Sequence, residues 1–343
     1  MKIVFTGLEY DSYKRERAKS FEYNNFYLQL KELGYDVVFA PFDRILEIGK
    51  KKFNEALLET VRREKPDLFF AFMFTDELDY ATLDRIKEIV PSVAWFSDDH
   101  WRLENYSRYY APHFTKVITT WSLAPAEYAK YGIRNVIRSQ WGCNAEVYHP
   151  VDAPKDIDVS FVGMKNVHRE KIIAELKAAG IDVFVRGFGW GTPKISLDEM
   201  LKVFSRSRIN LNLNPPTSAL SLKSVAQIFL RRHRNKFWPD YHLFANWRSY
   251  FRKKIPMIKA RPFEVAACGG FCISGLADDT ETYYLPGKET AFYKDVPDLV
   301  EKIKYYLAHA EEREAIAKAG YERTVKEHTY KARFEKIFRE MGL

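Results

Sequence analysis

The sequence of 343 residues carries 54 lysines and arginines against 46 aspartates and glutamates, for a formal net charge of +8. With 46% hydrophobic residues, 16 glycines and 15 prolines, it is neither disordered nor collagen-like. At about 100–200 residues per domain, the length predicts two domains. Because no uncharged apolar run approaches the ~20 residues of a membrane-spanning helix, and the apolar start is too short for a secretory signal, we expect a soluble, cytoplasmic protein.

In the first half of the chain, short apolar runs alternate with segments of helical periodicity. The runs that predict strands are Lys2–Thr6, Asp36–Ala40, Asp67–Phe74, Ser92–Ser97, Val117–Thr120 and Asn135–Ser139. The segments that predict helices are Asn25–Leu33, Lys51–Arg63, Leu83–Val90 and Pro125–Tyr131. Continuously apolar strands separated by helices indicate a parallel sheet covered on both faces.

A stretch containing Gly, Asn and Pro at Trp141–Pro154 predicts a linker, after which a second alternating set begins. Its predicted strands are Val159–Val162, Val183–Val185, Ile209–Leu213 and Phe271–Ser274, and its predicted helices include His168–Ala179, Leu197–Ser205 and Val296–Leu307. The fold class is therefore α/β, with two doubly wound Rossmann-like domains over residues 1–150 and 151–327. Such sheets bind ligands at the carboxyl ends of their strands, so we expect a site in the cleft between the domains.

The positive charge is concentrated in one segment of the second half. Between Lys223 and Arg261 there are eleven basic residues and one acidic residue, Asp240, and eight aromatic residues. Tyr241, Phe244, Trp247 and Phe251 follow helical spacing. This combination is typical of a helix at an anionic membrane surface, of a site for an anionic acceptor, or of single-stranded nucleic-acid binding. A fourth interpretation is that the aromatic residues pack on the second domain and expose only the charges. The near-neutral remainder of the chain argues against a nucleic-acid protein.

Several motifs, in order along nearly the whole chain, resemble the group-1 type of GT-B glycosyltransferases and most closely their CgeB-like relatives, a family named for a spore-maturation protein. They read SFEYNNFYLQLKELGYDV, VAWFSDDHWR, NVIRSQWGCNAEVYHP, VSFVGMKNVHREK, LDEMLKVFSRSRINLNLNPP and RPFEVAACGGFCISG. The resemblance implies a GT-B fold in which the first domain binds the acceptor and the second, with a basic aromatic segment at 217–261, binds a UDP- or GDP-linked sugar. It further implies transfer with retention of configuration and a C-terminal helix, about 328–343, that crosses back to the first domain.

The candidate donor-binding residues lie in the second domain. Glu264, which precedes a small-residue helix and the pair Gly269-Gly270, can accept two hydrogen bonds from a ribose diol; the alternative is an acid that stabilises the first turn of a helix. Gly163 ends a strand just before a helix, where backbone N–H groups can meet a diphosphate. The cations that could neutralise the diphosphate are Lys165, Arg169, Lys259 and Arg261.

The sequence departs from the group-1 pattern at two positions. Pro256 stands where the pattern has a first Glu, eight residues before Glu264, and Met164 stands where it has an Arg. A Gly-rich turn at Gly187–Gly191 contains Trp190, which either stacks on a nucleobase or packs on the core. The departures leave the donor sugar and the stereochemistry, retaining or inverting, open.

The candidate catalytic residues lie in the first domain. Asp98, Asp99 and His100 directly follow a predicted strand, and one of the acids is suited to act as a general base toward an acceptor hydroxyl. For one of the two, capping of the next helix is the alternative role. Glu22 lies at the start of the first helix, where the resemblance implies the acceptor loop, and it too has capping as its alternative.

No metal or other cofactor is expected, because no Asp-x-Asp motif follows a strand and arginine, lysine and helix N-termini can balance the diphosphate. The expected partners are a nucleotide sugar, an acceptor that is a glycan, a lipid-linked compound or a protein, and an anionic membrane surface bound through 223–261. One competing hypothesis is a nucleotide-sugar epimerase or hydrolase, which would consume donor without an acceptor. Another is a non-catalytic protein that binds membrane or nucleic acid on a degenerate GT-B scaffold.

Overall fold

The computed structural model describes residues 1–16, 18–192, 195–214, 226, 228–233, 236–239 and 241–343. The chain forms two compact units. The first contains Met1–Gln140, the described part of Thr217–Ile255, and Arg333–Leu343, and the second contains Trp141–Pro216 and Pro256–Ala332. The predicted positions Lys223, Arg234 and Asp240 of the basic segment lie outside the described residues.

The first unit is built on a six-stranded parallel sheet. Its strands are β1 (Lys2–Thr6), β2 (Asp36–Phe39), β3 (Leu68–Met73), β4 (Ser92–Phe96), β5 (Lys116–Thr119) and β6 (Val136–Arg138). They are ordered β2-β1-β3-β4-β5-β6. The central strand β3 is buried along its whole length because helices cover both faces of the sheet, as its uninterrupted apolar sequence LFFAFM predicts.

Helices connect the strands of the first unit. They are α1 (Leu28–Glu32), α2 (Ile45–Ile48), α3 (Lys50–Glu64), α4 (Tyr80–Ile89), α5 (Asp99–Arg102), α6 (Arg108–Tyr110) and α7 (Ala124–Ala129). Two π-helical turns, Tyr23–Tyr27 and Leu103–Ser107, precede α1 and α6. Short 3-10 turns lie at Asp11–Tyr13, Phe42–Arg44 and Ala111–His113. The six predicted strands all form, with ends that differ from the prediction by at most one residue.

After residue 140 the strands are β7 (Ile157–Val162), β8 (Phe184–Arg186), β9 (Ser207–Asn212), β10 (Leu230–His233), β11 (Lys236–Pro239), β12 (Cys272–Gly275) and β13 (Ala291–Tyr293). The helices are α8 (Val167–Ala178), α9 (Leu197–Arg206), α10 (Leu243–Arg252), α11 (Arg261–Ala267), α12 (Val296–Ala308), α13 (Ala310–Glu327) and α14 (Tyr330–Met341). The second unit has a five-stranded parallel sheet ordered β13-β12-β9-β7-β8. Among the described residues, no helix is long and apolar enough to cross a bilayer.

The C-terminal helix α14 packs on the first unit. The ring of Phe334 lies 5.3 Å from that of Phe26 and 5.8 Å from that of Phe70. Phe338 stacks on Phe334 with ring centroids 6.0 Å apart and is buried as well. The helix therefore adds an aromatic layer to the core of the first unit, against the π-helical turn Tyr23–Tyr27 and β3.

The described part of the basic aromatic segment as far as Ile255 belongs to the first unit and residues 256–261 belong to the second, whereas the sequence predicted the whole segment in the second domain. Strands β10 and β11 form an antiparallel hairpin, and α10 follows it. Arg252 of α10 lies 3.2 Å from the buried carboxylate of Glu104 and 2.9 Å from that of Glu127. These ion pairs join residues far apart in the sequence, which explains why position along the chain did not predict where the segment packs.

Candidate functional site

Glu264 lies in the first turn of α11 with its side chain buried. Arg261 Nη1 is 2.7 Å from Glu264 Oε2, and it also lies 3.1 Å from the sulfur of Met200. Tyr148 hydrogen-bonds the same carboxylate, and burial raises the pKa of this tyrosine well above its usual value, so its hydroxyl keeps the proton that it donates. Two partners within the protein thus fix the orientation of the Glu264 carboxylate.

Arg169 lies in the first turn of α8, next to this carboxylate cluster. Its Nη1 donates to the carbonyl oxygen of Met164 at 2.8 Å, and its Nε and Nη2 donate to that of Leu213 at 3.2 Å. Burial lowers the pKa of Arg169, and the positive charge of Arg261 lowers it further. The two guanidinium groups are therefore close enough to repel each other, and an anion bound near both would relieve that repulsion.

Gly163 ends β7 and is covered by the glycine-rich turn. Its carbonyl oxygen accepts a hydrogen bond from Trp190 Nε1 at 2.9 Å, and a side chain at Gly187 would place its Cβ 2.3 Å from that oxygen. Trp190 also packs on the core of the second unit, as one of its two sequence-based interpretations expected. Lys165 pairs with Glu170 at 2.7 Å. This end of β7 is therefore built by close backbone contacts that only glycine permits.

The pair Gly269-Gly270 ends helix α11. Gly269 has a φ of +67°, and its N–H donates to the carbonyl of Ala266 while that of Gly270 donates to the carbonyl of Val265. This double hydrogen bond is the Schellman motif, which favours glycine at the left-handed position. A Cβ on Gly270 would lie 2.8 Å from Asn210 Nδ2. Helix termination and close packing account for both glycines, and their predicted contact with a donor stays a prediction. Lys259 is half-buried in the segment before α11.

Asp98 and Asp99 differ sharply in their surroundings. Asp98 has a left-handed backbone with φ of +61° and, among the described residues, its side chain does not cap α5. Asp99 is fully buried, where it accepts hydrogen bonds from Ser107 Oγ at 2.5 Å and from the Tyr128 hydroxyl at 3.1 Å. Burial raises the pKa of Asp99 to about 6. The carboxylate of Asp99 therefore organises the interior of the unit, and Asp98 remains the candidate general base. His100 is buried beside them.

Glu22 is buried at the carboxyl end of β1, next to Gly7. A Cβ added to Gly7 would lie 3.3 Å from the Cβ of Glu22. Burial raises its pKa from 4.5 to about 7, and the charges of Asp11 and Asp43 act in the same direction. Strand β3 separates β1 from β4, which leads to Asp98. The predicted catalytic residues therefore lie at the ends of two non-adjacent strands.

We expect Glu22→Gln to flatten the pH dependence of stability. Because the folded protein holds the Glu22 proton more tightly than the unfolded chain does, this group stabilises the fold below pH 4.5 and the stabilisation is lost as the pH rises to about 7. A shift of this size corresponds to on the order of 3 kcal/mol. Urea denaturation between pH 5 and pH 8 measures the change in the free energy of unfolding, which is ~1.4 kcal/mol for each unit of pKa shift. Glu47→Gln, at an exposed acid paired with Arg15, is the control. The prediction would be contradicted if the free energy of unfolding changed equally with pH in wild type and Glu22→Gln.

Two features of the site had no sequence signal. Tyr148 lies in the linker, where nothing in the sequence singled it out as a partner of Glu264. Helix α10 brings Lys253 to the carboxyl end of β4, where its Nζ lies 4.2 Å from the ring centroid of Trp101. Burial lowers the pKa of Lys253, and the negative charge of Asp98 opposes that effect. The basic segment therefore forms part of the surroundings of the candidate base.

A sequence profile described as glycosyl transferase-like matches residues 168–339, half of the chain. The chain belongs to this glycosyl transferase-like family. Its sequence is 24% identical to the spore protein CgeB of Bacillus subtilis over 315 residues, which are 87% of this chain and 93% of that protein. The protein is thus a glycosyltransferase of the CgeB-like group, as the sequence motifs predicted, and the profile covers Arg169, Arg261 and Glu264.

Solved structures of other glycosyltransferases share the fold of this one. Sucrose-phosphate synthase from Thermosynechococcus elongatus is 12% identical, with a TM-score of 0.57 over 99% of this chain and 98% of its own. HepE of Anabaena in complex with UDP-glucose is 10% identical, with a TM-score of 0.59 over 100% of this chain and 99% of its own. The likeness extends over both units, which confirms the predicted GT-B fold.

Proposed function

We propose that this glycosyltransferase moves a sugar from a UDP- or GDP-linked donor to an acceptor hydroxyl, with no metal ion required. The observation that carries the proposal is the cluster of Glu264, Arg261 and Arg169 at the carboxyl ends of β7 and β9, where open α/β sheets bind their ligands. HepE, which shares the fold, was solved with UDP and with UDP-glucose, and this supports a nucleotide-sugar donor here.

In this proposal each residue of the cluster meets a different part of the donor. The Glu264 carboxylate accepts hydrogen bonds from the two ribose hydroxyls, since it is held in place by Arg261 and Tyr148. Arg169 and Arg261 face the diphosphate, whose negative charge increases as the bond to the anomeric carbon breaks. Fixed guanidinium groups stabilise such a leaving group without reorganising, and they supply the charge that a metal ion supplies in other enzymes.

The acceptor binds to the first unit in this proposal. Asp98, at the end of β4, is positioned to accept the proton of the attacking hydroxyl. The group-1 resemblance favours retention of the anomeric configuration. The anomer of the product, determined by NMR, decides between retention and inversion.

A nucleotide panel tests the donor assignment. Thermal unfolding of the protein with UDP, GDP, ADP and CMP, each with and without EDTA, is expected to show stabilisation by UDP or GDP that EDTA does not reduce. A ligand at 100 times its dissociation constant adds about 2.7 kcal/mol. Stabilisation by ADP or CMP alone, or by none, would contradict the donor class, and loss of the effect with EDTA would contradict metal independence. Turnover of the donor without an acceptor would favour the hydrolase or epimerase hypothesis.

We further propose that α10 attaches the enzyme to an anionic membrane surface. This helix buries Asn246, Ser249 and Tyr250 and exposes three of its four aromatic residues, whereas an ordinary surface helix buries its large apolar side chains. Phe244 is 87% exposed and Trp247 is 54% exposed. Four exposed residues form an aromatic surface: Tyr241, Phe244, Trp247 and Phe251. The interpretation that these residues pack on the second domain is therefore wrong.

Positive charges border the aromatic surface. Arg248 is largely exposed on α10, and Lys254, which is exposed as well, follows the helix. Aromatic depth combined with basic residues is what an interfacial helix at anionic lipid requires, because the rings insert among the acyl chains while the charges meet the headgroups. Cosedimentation with lipid vesicles measures this binding.

A further inference from the structure

A cavity of about 340 Å³ opens in the first unit beside the ends of two sheet strands. Lys50 begins α3, Asp76 and Tyr80 follow β3, Tyr106 follows β4 and His242 precedes α10, so four chain segments contribute to its wall. Its volume falls within the ~300–1,000 Å³ typical of small-molecule sites. No residue proposed above for the donor or for catalysis lines this cavity among the described residues.

Tyrosine rings form much of the wall. Tyr80, Tyr106, Tyr109 and Tyr110 all line the cavity. The Tyr80 ring meets that of Tyr110 edge-on at 4.8 Å and stacks on His113 at 4.5 Å, and the Tyr106 hydroxyl donates to the carbonyl of Thr75. Because these contacts fix the rings, the cavity presents flat, rigid aromatic surfaces. Such surfaces suit the C–H face of a pyranose, since ring C–H bonds are weakly positive and an aromatic face is negative.

The polar part of the wall is an ion-paired cluster. Lys50 Nζ is 2.8 Å from Asp79 Oδ1 and 3.7 Å from Asp76 Oδ2. One ammonium thus balances two carboxylates. Each carboxylate oxygen can accept more than one hydrogen bond, so an ion-paired aspartate can also accept a hydrogen bond from a hydroxyl group. Asn105, which also lines the cavity, donates its amide to Asn246 of α10 at 3.0 Å. The excess negative charge favours a neutral or amino sugar over a uronic acid or another acidic sugar.

We propose that this cavity binds a neutral or amino sugar residue of a glycan acceptor. The inference rests on the proposed function, because it places an acceptor on the first unit and the donor-binding residues belong to the second. Aromatic walls then hold one face of the sugar, Asp76 and Asp79 accept hydrogen bonds from its hydroxyl groups, and Lys50 donates a hydrogen bond to a ring or hydroxyl oxygen. The cavity thereby selects a glycan among the acceptor classes that the sequence left open.

Saturation-transfer NMR on the full-length protein, without donor, tests the proposal. The probes are the methyl glycosides of glucose, N-acetylglucosamine, glucosamine and glucuronic acid. We expect a saturation-transfer signal on the first three glycosides and little signal on the glucuronide. Tyr80→Ala is expected to reduce the signal at least several-fold, because it removes the most exposed of the four rings, and Asp79→Asn is expected to weaken glucosamine most.

Tyr305→Ala is a closely matched control. Tyr305 lies in α12 of the second unit, is 44% exposed like Tyr80, and likewise stacks on a histidine, His309, at 4.0 Å. Thermal unfolding verifies that each variant folds. The proposal would be overturned by equal saturation-transfer signals with wild type and Tyr80→Ala, by a signal on the glucuronide as strong as that on the glucoside, or by no signal at all. UDP and GDP binding, measured on the same samples, is expected to be unchanged in Tyr80→Ala, so failure of the donor assignment and failure of the cavity proposal give different results.

Discussion

Replacing Glu264 with glutamine is expected to weaken nucleotide binding about 30- to 150-fold, the equivalent of about 2–3 kcal/mol. The carboxylate offers two charged acceptor oxygens to a ribose diol, and hydrogen bonds to a charged acceptor are the stronger kind. Glutamine keeps the shape of the side chain but replaces one acceptor with an amide donor, which would face a hydroxyl and the guanidinium of Arg261. Isothermal titration with the nucleotide that stabilises the wild type measures the loss.

Stability must be separated from binding in this experiment, because Glu264→Gln leaves Arg261 without its 2.7 Å carboxylate partner. Asp298→Asn is a matched control: Asp298 is also an acid in the first turn of a helix of the second unit and is paired with Lys302 along that helix. It should leave nucleotide binding unchanged. Tyr148→Phe, which removes only the hydroxyl that orients Glu264, should weaken binding less than Glu264→Gln does. Unchanged affinity in a folded Glu264→Gln protein would contradict the ribose-binding role.

The fold was predictable because its signals are local. Strands such as β3 and β4 lie inside a sheet with both faces covered, so their apolar runs have no polar interruptions and their ends are marked by charged residues or turns. Glu264 and Arg169 were found because each lies in a continuous sequence motif that resembles the group-1 family. In the structure each occupies the first turn of a helix, α11 and α8 respectively.

Interactions between distant parts of the chain could not be predicted in this way. The assignment of α10 to the first unit depends on the pairing of Arg252 with Glu104 and Glu127, and these residues are too far apart in the sequence for a local pattern to match their charges. Gly269 and Gly270 were associated with the donor by motif, yet the structure explains them by helix termination. A glycine pattern records a backbone requirement, and several functions share that requirement.

The aromatic surface is expected to give binding to anionic vesicles that requires both its rings and its charges. Inserting one aromatic ring contributes about 1.5–3 kcal/mol, so Phe244→Ser with Trp247→Ser should weaken binding by about 10²-fold or more. Raising the salt from about 0.1 M to about 0.5 M shortens the Debye length from ~10 Å to ~4 Å and should weaken wild-type binding as well. Vesicles of phosphatidylglycerol mixed with phosphatidylcholine are compared with vesicles of phosphatidylcholine alone.

The structure supplies a control for nonspecific adhesion of exposed rings. Phe188, in the glycine-rich turn of the second unit, is 75% exposed, so Phe188→Ser removes a comparable ring outside α10 and should leave vesicle binding unchanged. Because Asn246 and Arg252 anchor the opposite face of α10 to Asn105 and Glu104 of the first unit, the double substitution should not detach the helix, and an unchanged unfolding temperature verifies this. Equal binding by wild type and the double variant would contradict membrane attachment through this surface. Salt-sensitive binding of single-stranded oligonucleotides with none to vesicles would instead assign the same rings and charges to nucleic acid, since bases stack on aromatic side chains and phosphates pair with arginine and lysine.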